Sequence, residues 1–413
     1  MPYLPGNLRV DQAIIPVLAG PAILMARRQH TSTLIWGIPL MASLVALAIS
    51  SRLSWQTGLA ASGLFSMIRI ALPVIALLAF PAILSRVRDA TTLTAISIVA
   101  CAGIASMAAL IALASPRALE FLLYWVRADS DDSVWSQAMD VGRFSGIFNQ
   151  PLEAGVFYSV ALLALAYCWK YASLNKLLML ILLVLIFAGG SLSLSKNFLV
   201  VGVATALIFS IWIGVIPIWL VLAIAIPTAI VVPPLFARYN PEYVDSLMAL
   251  YYTGGIFSAL TAGRFGQEDS QVAILFQSLF EVGDWPLRRG LGSHLPLDNG
   301  FLEFFYQGGI VALGGFVFAL LALLAYGWRD RTTNAGRLLV ALTAFTAGAS
   351  LGGPAFTANR ANIPLLLLMA ATIVDLRQRR TLALVDHRDA AYQPAWTGQT
   401  TTPDLPMEHA ARP

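Results

Sequence analysis

The sequence predicts an all-α, polytopic transmembrane bundle that crosses the bilayer about eleven times. Three observations predict it. Apolar runs of about 17–25 residues recur along the chain, the length a helix needs to cross the hydrocarbon core. Charged residues make up 12% of the 413 residues against 58% apolar, with a mean hydropathy of +0.74, whereas soluble domains carry about 25% charged residues. The runs also lack the polar–apolar alternation of a membrane barrel.

The runs cover approximately residues 12–26, 33–50, 68–84, 92–114, 153–170, 177–193, 197–214, 217–235, 301–327, 337–353 and 361–375. The first has neither a basic flank nor a small-residue cleavage site and reads as a span rather than a signal peptide. A weakly amphipathic stretch, 55–66, precedes the third run and is expected to lie in the interface. Arg69, near the start of that run, either snorkels to headgroups or touches substrate. Cys101 and Cys168 both fall inside runs, which favours packing over a disulfide.

Connector charge sets the orientation. Alternate connectors hold Arg27 and Arg28; Arg86 and Arg88; Lys170 and Lys176; Arg329, Arg331 and Arg337; and, after the last run, Arg377, Arg379 and Arg380. The intervening short connectors offer only Arg52, Lys196 and Arg360. The basic set belongs in the cytoplasm, which puts the C-terminus inside. Two long connectors, 115–152 and 236–300, then lie outside. Residues 119–126 form an apolar stretch suited to the membrane surface, and 270–282 have helical apolar spacing with Asp269 as a cap. Long structured loops commonly carry function. Residues 1–375 thus form one transmembrane unit, and 376–413 a polar cytoplasmic tail expected to be disordered.

Several chemistries are excluded early. The net charge of +4 is dispersed along the chain, so nucleic-acid binding is not indicated. His30, His294, His387 and His409 have no metal-ligand spacing, and no nucleophile elbow or phosphate loop is present. No metal or cofactor is expected. Ser195 and Lys196 are adjacent, which suits an interfacial anchor better than a Ser–Lys dyad. Charges are scarce within the runs, which weakens an ion-coupled transporter.

Arginines and carboxylates concentrate in the outer loops. Arg143 sits in a segment from Gly142 to Pro151, and Arg264 follows Gly263. A guanidinium is permanently charged and pairs bidentately with phosphate oxygens. Two of them beside a bilayer suit a lipid-linked pyrophosphate; equally, each suits a loop carboxylate such as Asp140 or Glu268, or a headgroup. Asn149, Gln150 and Glu153 surround the start of one run. Trp125, Trp135, Tyr251, Tyr252 and Trp285 are expected to be exposed, and suit either sugar stacking or the interfacial aromatic belt.

From Arg143 to the end of the tenth run, the order of features resembles the O-antigen polymerase and ligase superfamily, the Wzy-like and WaaL-like membrane glycosyltransferases. The features are Arg143, Gly146, Phe148 and Pro151 before a span; the Gly189–Lys196 turn; Gly263-Arg264; Pro286 with Gly290-Leu291-Gly292; and Asp298-Asn299-Gly300 running to Glu303 and Gly308-Gly309. The ligase branch has histidine where this chain has Asp298, so the likeness favours exopolysaccharide polymerases of the Wzy-dependent pathway. His294 lies four residues upstream.

The resemblance implies a GT-C-like bundle in a bacterial inner membrane. Its substrate would be an undecaprenyl-pyrophosphate-linked oligosaccharide, with a flippase and a chain-length regulator as partners. It implies catalytic roles for Asp298 (general base, His294 the alternate), Arg264 and Arg143. Substrate-binding roles fall to Asn149, Gln150, Glu153, Lys196, Asn299 and Glu303. An aspartate at its ordinary pKa is a weak base, so the base role requires a tuned environment. Asp298-Asn299-Gly300 also reads as an ordinary turn capping the ninth run. O-antigen ligase and polysaccharide or lipid transporter are the alternatives.

Overall fold

The structure is a computed structural model that describes residues 32–54, 60–126, 134–140, 142–217, 245, 248–249, 251–253, 255, 299–357 and 361–392. Among these residues every regular element is helical. In chain order they are α1 (Ser32–Ser54), α2 (Ala60–Leu84), α3 (Ala90–Ala114), α4 (Pro116–Val126), α5 (Val134–Asp140), α6 (Pro151–Tyr171) and α7 (Lys176–Leu192). A π-helix, Asn197–Gly202, leads into α8 (Val203–Trp212). The remainder is α9 (Gly300–Arg329), α10 (Asn334–Gly352), a 3-10 turn (Ala355–Thr357) and α11 (Asn362–Tyr392).

Helices α3, α6, α9 and α10 are long and apolar enough to cross a membrane. Shorter apolar stretches occupy α1, α2, α7 and the π-helix with α8. These positions match the predicted runs between 33 and 214 and between 301 and 353, and α11 covers the run at 361–375. The runs at 12–26 and 217–235, the helix expected at 270–282, and most of the second long connector lie outside the described residues.

Helix α6 is the centre of the bundle. Its apolar window is 89% buried, against 44% for α3 and 39% for α9, which keep large faces turned outward. A helix apolar on all sides with small residues is suited to that place. A Cβ at Gly155 would fall 2.2 Å from Ser195 Oγ, and one at Gly202 would fall 2.0 Å from Ser159 Oγ. Both glycines therefore let α6 and the π-helix approach closely. On the other side, α1 lies along α9: Ser43 Oγ donates to the Ala312 carbonyl at 2.8 Å. Gly315 leaves room there for the Pro39 carbonyl. Helix α2 packs on α11, and α3 packs on α6 and α7.

The structure differs from the sequence reading in four places. First, the ninth run is not one straight span. Gly309 has φ 69° and ψ −165°, a conformation closed to other residues. Across that point Phe301 and Phe316 have ring centroids 5.6 Å apart, and Phe304 stacks on Phe316 at 4.3 Å. In a straight helix residues 301 and 316 would be separated by about 22 Å along the axis. Residues 300–308 therefore form a short arm folded back beside 310–329. Second, the expected interfacial stretch 55–66 is helical from Ala60 onward and continuous with α2. Third, α11 continues past Asp375 to Tyr392, so the expected tail begins as helix. Fourth, Trp135 is not an exposed aromatic: it is buried, edge-on to Phe144, with Nε1 donating to the Gly146 carbonyl at 3.3 Å.

The described residues of the first long connector include two helices, α4 and α5. The apolar stretch at 119–126 lies in α4, which turns Leu119, Leu122 and Leu123 toward Ala109, Ala112, Trp135 and Phe144. Phe121 and Tyr124 face outward. Cys101 is exposed and Cys168 buried, and both are free thiols.

The basic connectors gather at one end of the bundle. Arg380 pairs with Asp330, Arg337 Nη1 donates to the Trp212 carbonyl at 3.4 Å, and Gln378 Nε2 donates to the Ser85 carbonyl at 3.2 Å. These contacts join the ends of α2, α8, α9, α10 and α11. The opposite end holds the candidate site.

Candidate functional site

The site is assembled where α6 and α9 begin and α7 and α10 finish. After α5 the chain turns at Gly142 (φ 72°) and Gly146 (φ 58°), both in the left-handed region that glycine tolerates. Between them the segment is fastened to the end of α7. Phe144 N donates to the Leu192 carbonyl at 2.8 Å, and Arg143 Nε donates to the Ser193 carbonyl at 3.4 Å. Arg143 is half-buried.

Helix α6 follows with Gln150 as its N-terminal residue and Pro151 in the first turn, where proline's missing N–H is harmless. Phe148 fixes this start from below, 5.0 Å from the Phe157 ring and 6.0 Å from Tyr158. Asn149 and Gln150 are half-buried, and Asn149 Oδ1 is buried without a hydrogen-bond partner. Glu153, in the first turn of α6, is 1% exposed. One turn later Gly155 abuts Ser195, so the start of α6 and the turn 193–197 share one wall. Leu194 takes φ 44° in that turn, an uncommon conformation for a side chain with a Cβ. Lys196 follows, half-buried, at the start of the π-helix.

The end of α10 meets this wall. A Cβ at Gly352 would lie 2.7 Å from Asn197 Oδ1, and one at Gly353 would lie 2.6 Å from the Leu152 side chain. The α9 arm is tied to the same place. Asn299 Oδ1 accepts from Phe301 N and Leu302 N, both at 3.0 Å, while its Nδ2 donates to the Leu351 carbonyl at 3.1 Å. Both ends of its carboxamide are engaged by backbone, so Asn299 caps and anchors the arm, as the turn reading expects. Glu303, 2% exposed, accepts a 2.7 Å hydrogen bond from Thr357 Oγ1 on the 3-10 turn. That turn is held by Asn362, whose Nδ2 donates to the Phe356 carbonyl at 3.0 Å.

Among the predicted site residues, Arg143, Asn149, Gln150, Glu153, Lys196, Asn299 and Glu303 thus come to one end of the bundle, linked through Ser193, Ser195, Asn197 and the end of α10. Arg264, His294 and Asp298 lie outside the described residues. Of the expected aromatics, Trp285 and the side chain of Trp125 also lie outside them, and Tyr251 and Tyr252 are exposed and edge-on at 5.8 Å.

Three further residues belong to the site and were not expected. Thr357 lies 54 residues from Glu303 and carries no local signal. Asn197 is 2% exposed with Nδ2 unpartnered, at the first residue of the π-helix, an irregularity frequent at functional sites. Gln307 is 5% exposed with Oε1 unpartnered; its spacing of four from Glu303 was visible in the sequence. The arrangement offers Arg143 and Lys196 beside Glu153, Asn149 and Asn197 on one wall, and Glu303 with Gln307 on the α9 arm. Such a pairing can hold an anion beside a hydroxyl-rich group. No family model matches the chain, and no curated protein matches it.

Proposed function

We propose that this chain is a membrane glycosyltransferase of the exopolysaccharide or O-antigen polymerase type, joining undecaprenyl-pyrophosphate-linked repeat units outside the bacterial inner membrane. The observation that carries the reading is the convergence of Arg143, Lys196, Glu153 and Glu303 on the end opposite the basic connectors. By the positive-inside rule the basic end faces the cytoplasm, so the site end faces outward. About eleven spans, a cytoplasmic C-terminus and two external loops complete this topology.

In the reaction, a hydroxyl oxygen of the acceptor sugar attacks the anomeric carbon of the growing chain. The bond from that carbon to pyrophosphate breaks, and its electron pair leaves on the pyrophosphate. Arg143 and Arg264 neutralise that developing charge, which is worth most in a water-poor site. Asp298, one residue before the anchored Asn299, takes the hydroxyl proton, with His294 as the alternate base. Asn149, Gln150, Glu153 and Glu303 accept sugar hydroxyls, and Lys196 supports the anion. The leaving group is already activated, so the chemistry requires no metal or nucleotide.

A transporter would need polar groups along a path through the spans. Here the in-span hydroxyls of Thr343, Thr346 and Thr372 donate to carbonyls of their own helices, and that of Ser159 to carbonyls of Gly155 in its own helix and Asn197 in the π-helix. The test is the pattern of lipid-linked saccharides in a deletion strain carrying Arg143→Ala, Arg264→Ala or Asp298→Ala. Loss of long polymer with single repeat units still exported is expected. Finished polymer stranded on its carrier indicates a ligase, and repeat units held inside indicate a transporter. Normal polymer in the deletion strain would sink the reading.

A further inference from the structure

The arm of α9 carries a polar face that the reading above uses only in part. Glu303 and Gln307 are four residues apart and so share one side of the helix, and Asn299 caps it four residues before Glu303. All three are buried, at 7%, 2% and 5% exposure. Asn299 is consumed by backbone, and Glu303 Oε2 is held by Thr357. Gln307 Oε1 sits one turn on from Glu303, buried without a hydrogen-bond partner. A buried amide oxygen left unpaired is costly and calls for an explanation.

A carboxylate and an amide oxygen one helical turn apart are two acceptors at about 5–6 Å spacing between Cβ atoms. They suit two O–H donors on neighbouring carbons, and a carboxylate repels phosphate. We propose that Glu303 and Gln307 form the subsite for a vicinal diol of the acceptor sugar, with Thr357 as the positioning residue that fixes the Glu303 carboxylate. Naming the sugar an acceptor rests on the polymerase reading; the diol subsite itself does not. Both residues are covered in this conformation, so the sugar enters as the arm shifts about its two non-helical ends, Asn299 and Gly309.

The experiment uses the full chain in nanodiscs, with two probes: bare undecaprenyl pyrophosphate, and the lipid-linked repeat unit extracted from the deletion strain. Native mass spectrometry reads binding for wild type, Gln307→Leu, Thr357→Val and Thr357→Ser. Wild type and Thr357→Ser are expected to prefer the sugar-bearing lipid. Gln307→Leu and Thr357→Val are expected to lose roughly tenfold of that preference, the worth of one hydrogen bond, while binding bare lipid like wild type. A wild type without preference, or variants that keep it, overturns the subsite. Chain elongation is scored separately on the same preparations. A wild type that prefers the sugar but never elongates it sinks the polymerase reading and leaves the subsite standing.

Discussion

At the basic end of the bundle, four cations rest on a ring, a carbonyl or a carboxylate. Arg380 pairs with Asp330 and lies 4.3 Å over the Tyr326 ring. Arg331 lies 5.2 Å over Trp328, and Lys176 lies 5.3 Å over Trp169 while bonding its carbonyl. Arg337 donates from Nε to the Arg331 carbonyl at 2.8 Å. At the site end the pattern reverses. Ser145, Asn149, Asn197, Gln307 and Ser350 keep buried polar atoms without partners, and the carboxylates of Glu153 and Glu303 are almost fully enclosed. One end is arranged for stability and the other gives some of it up, the division expected where polar groups await a ligand.

The sharpest way to break that comparison is to put the same methyl group at a glycine of each end. At the basic end, a Cβ at Gly336 would lie 2.1 Å from the Asp330 carbonyl oxygen, which is backbone and has nowhere to move. Gly336→Ala should cost about 3 kcal/mol and lower the amount of protein in the membrane, measured by immunoblot. At the site end, Gly309→Ala forces a side chain into a glycine-only conformation at about 1–3 kcal/mol. It should abolish polymer while the protein still accumulates. If Gly336→Ala accumulates normally, or Gly309→Ala makes normal polymer, the division between the ends is wrong.

Smaller effects sharpen the same contrast. Asn299→Ala removes a cap and the tie to Leu351, so thermal unfolding should show a loss of about 1 kcal/mol together with reduced polymer. Ser350→Ala removes a buried hydroxyl without a partner, close against Gly300. It should raise the melting temperature slightly, by the equivalent of about 1 kcal/mol, because nothing bonded is lost. Arg380→Ala should change stability by no more than about 1 kcal/mol, since the pair is partly solvated. Polymer should be unaffected, and raising salt should shrink the difference between variant and wild type.

Much of this was legible in the sequence because hydropathy and connector charge are local quantities. Apart from α4 and α5, the described helices cover predicted runs, and of the two readings of Asp298-Asn299-Gly300 the turn reading matches the cap seen at Asn299. The reversal at Gly309 was hidden because residues 301–327 are apolar throughout, and hydropathy does not register a change of direction. The Gly308-Gly309 pair was visible, yet two glycines in an apolar run equally suit close helix packing. Thr357 was illegible for another reason: its meaning lies in a partner 54 residues away. Trp135 was read as exposed because a loop position says nothing of the pocket that Phe144 and Gly146 close around it.

The folded-back arm has a consequence for how crossings are counted. The arm takes up residues 300–308 and only residues 310–329 run on to the basic end, so the segment 300–329 traverses the bundle once. The parity of the chain is therefore untouched, and the side reached by α10 and α11 is the same as for a straight helix. Reporter fusions after residues 299 and 330 should report opposite compartments, and a fusion after residue 309 should agree with the one after 299. An insertion machinery that measures only apolar length would see one long segment there, and the glycine alone decides where the crossing begins.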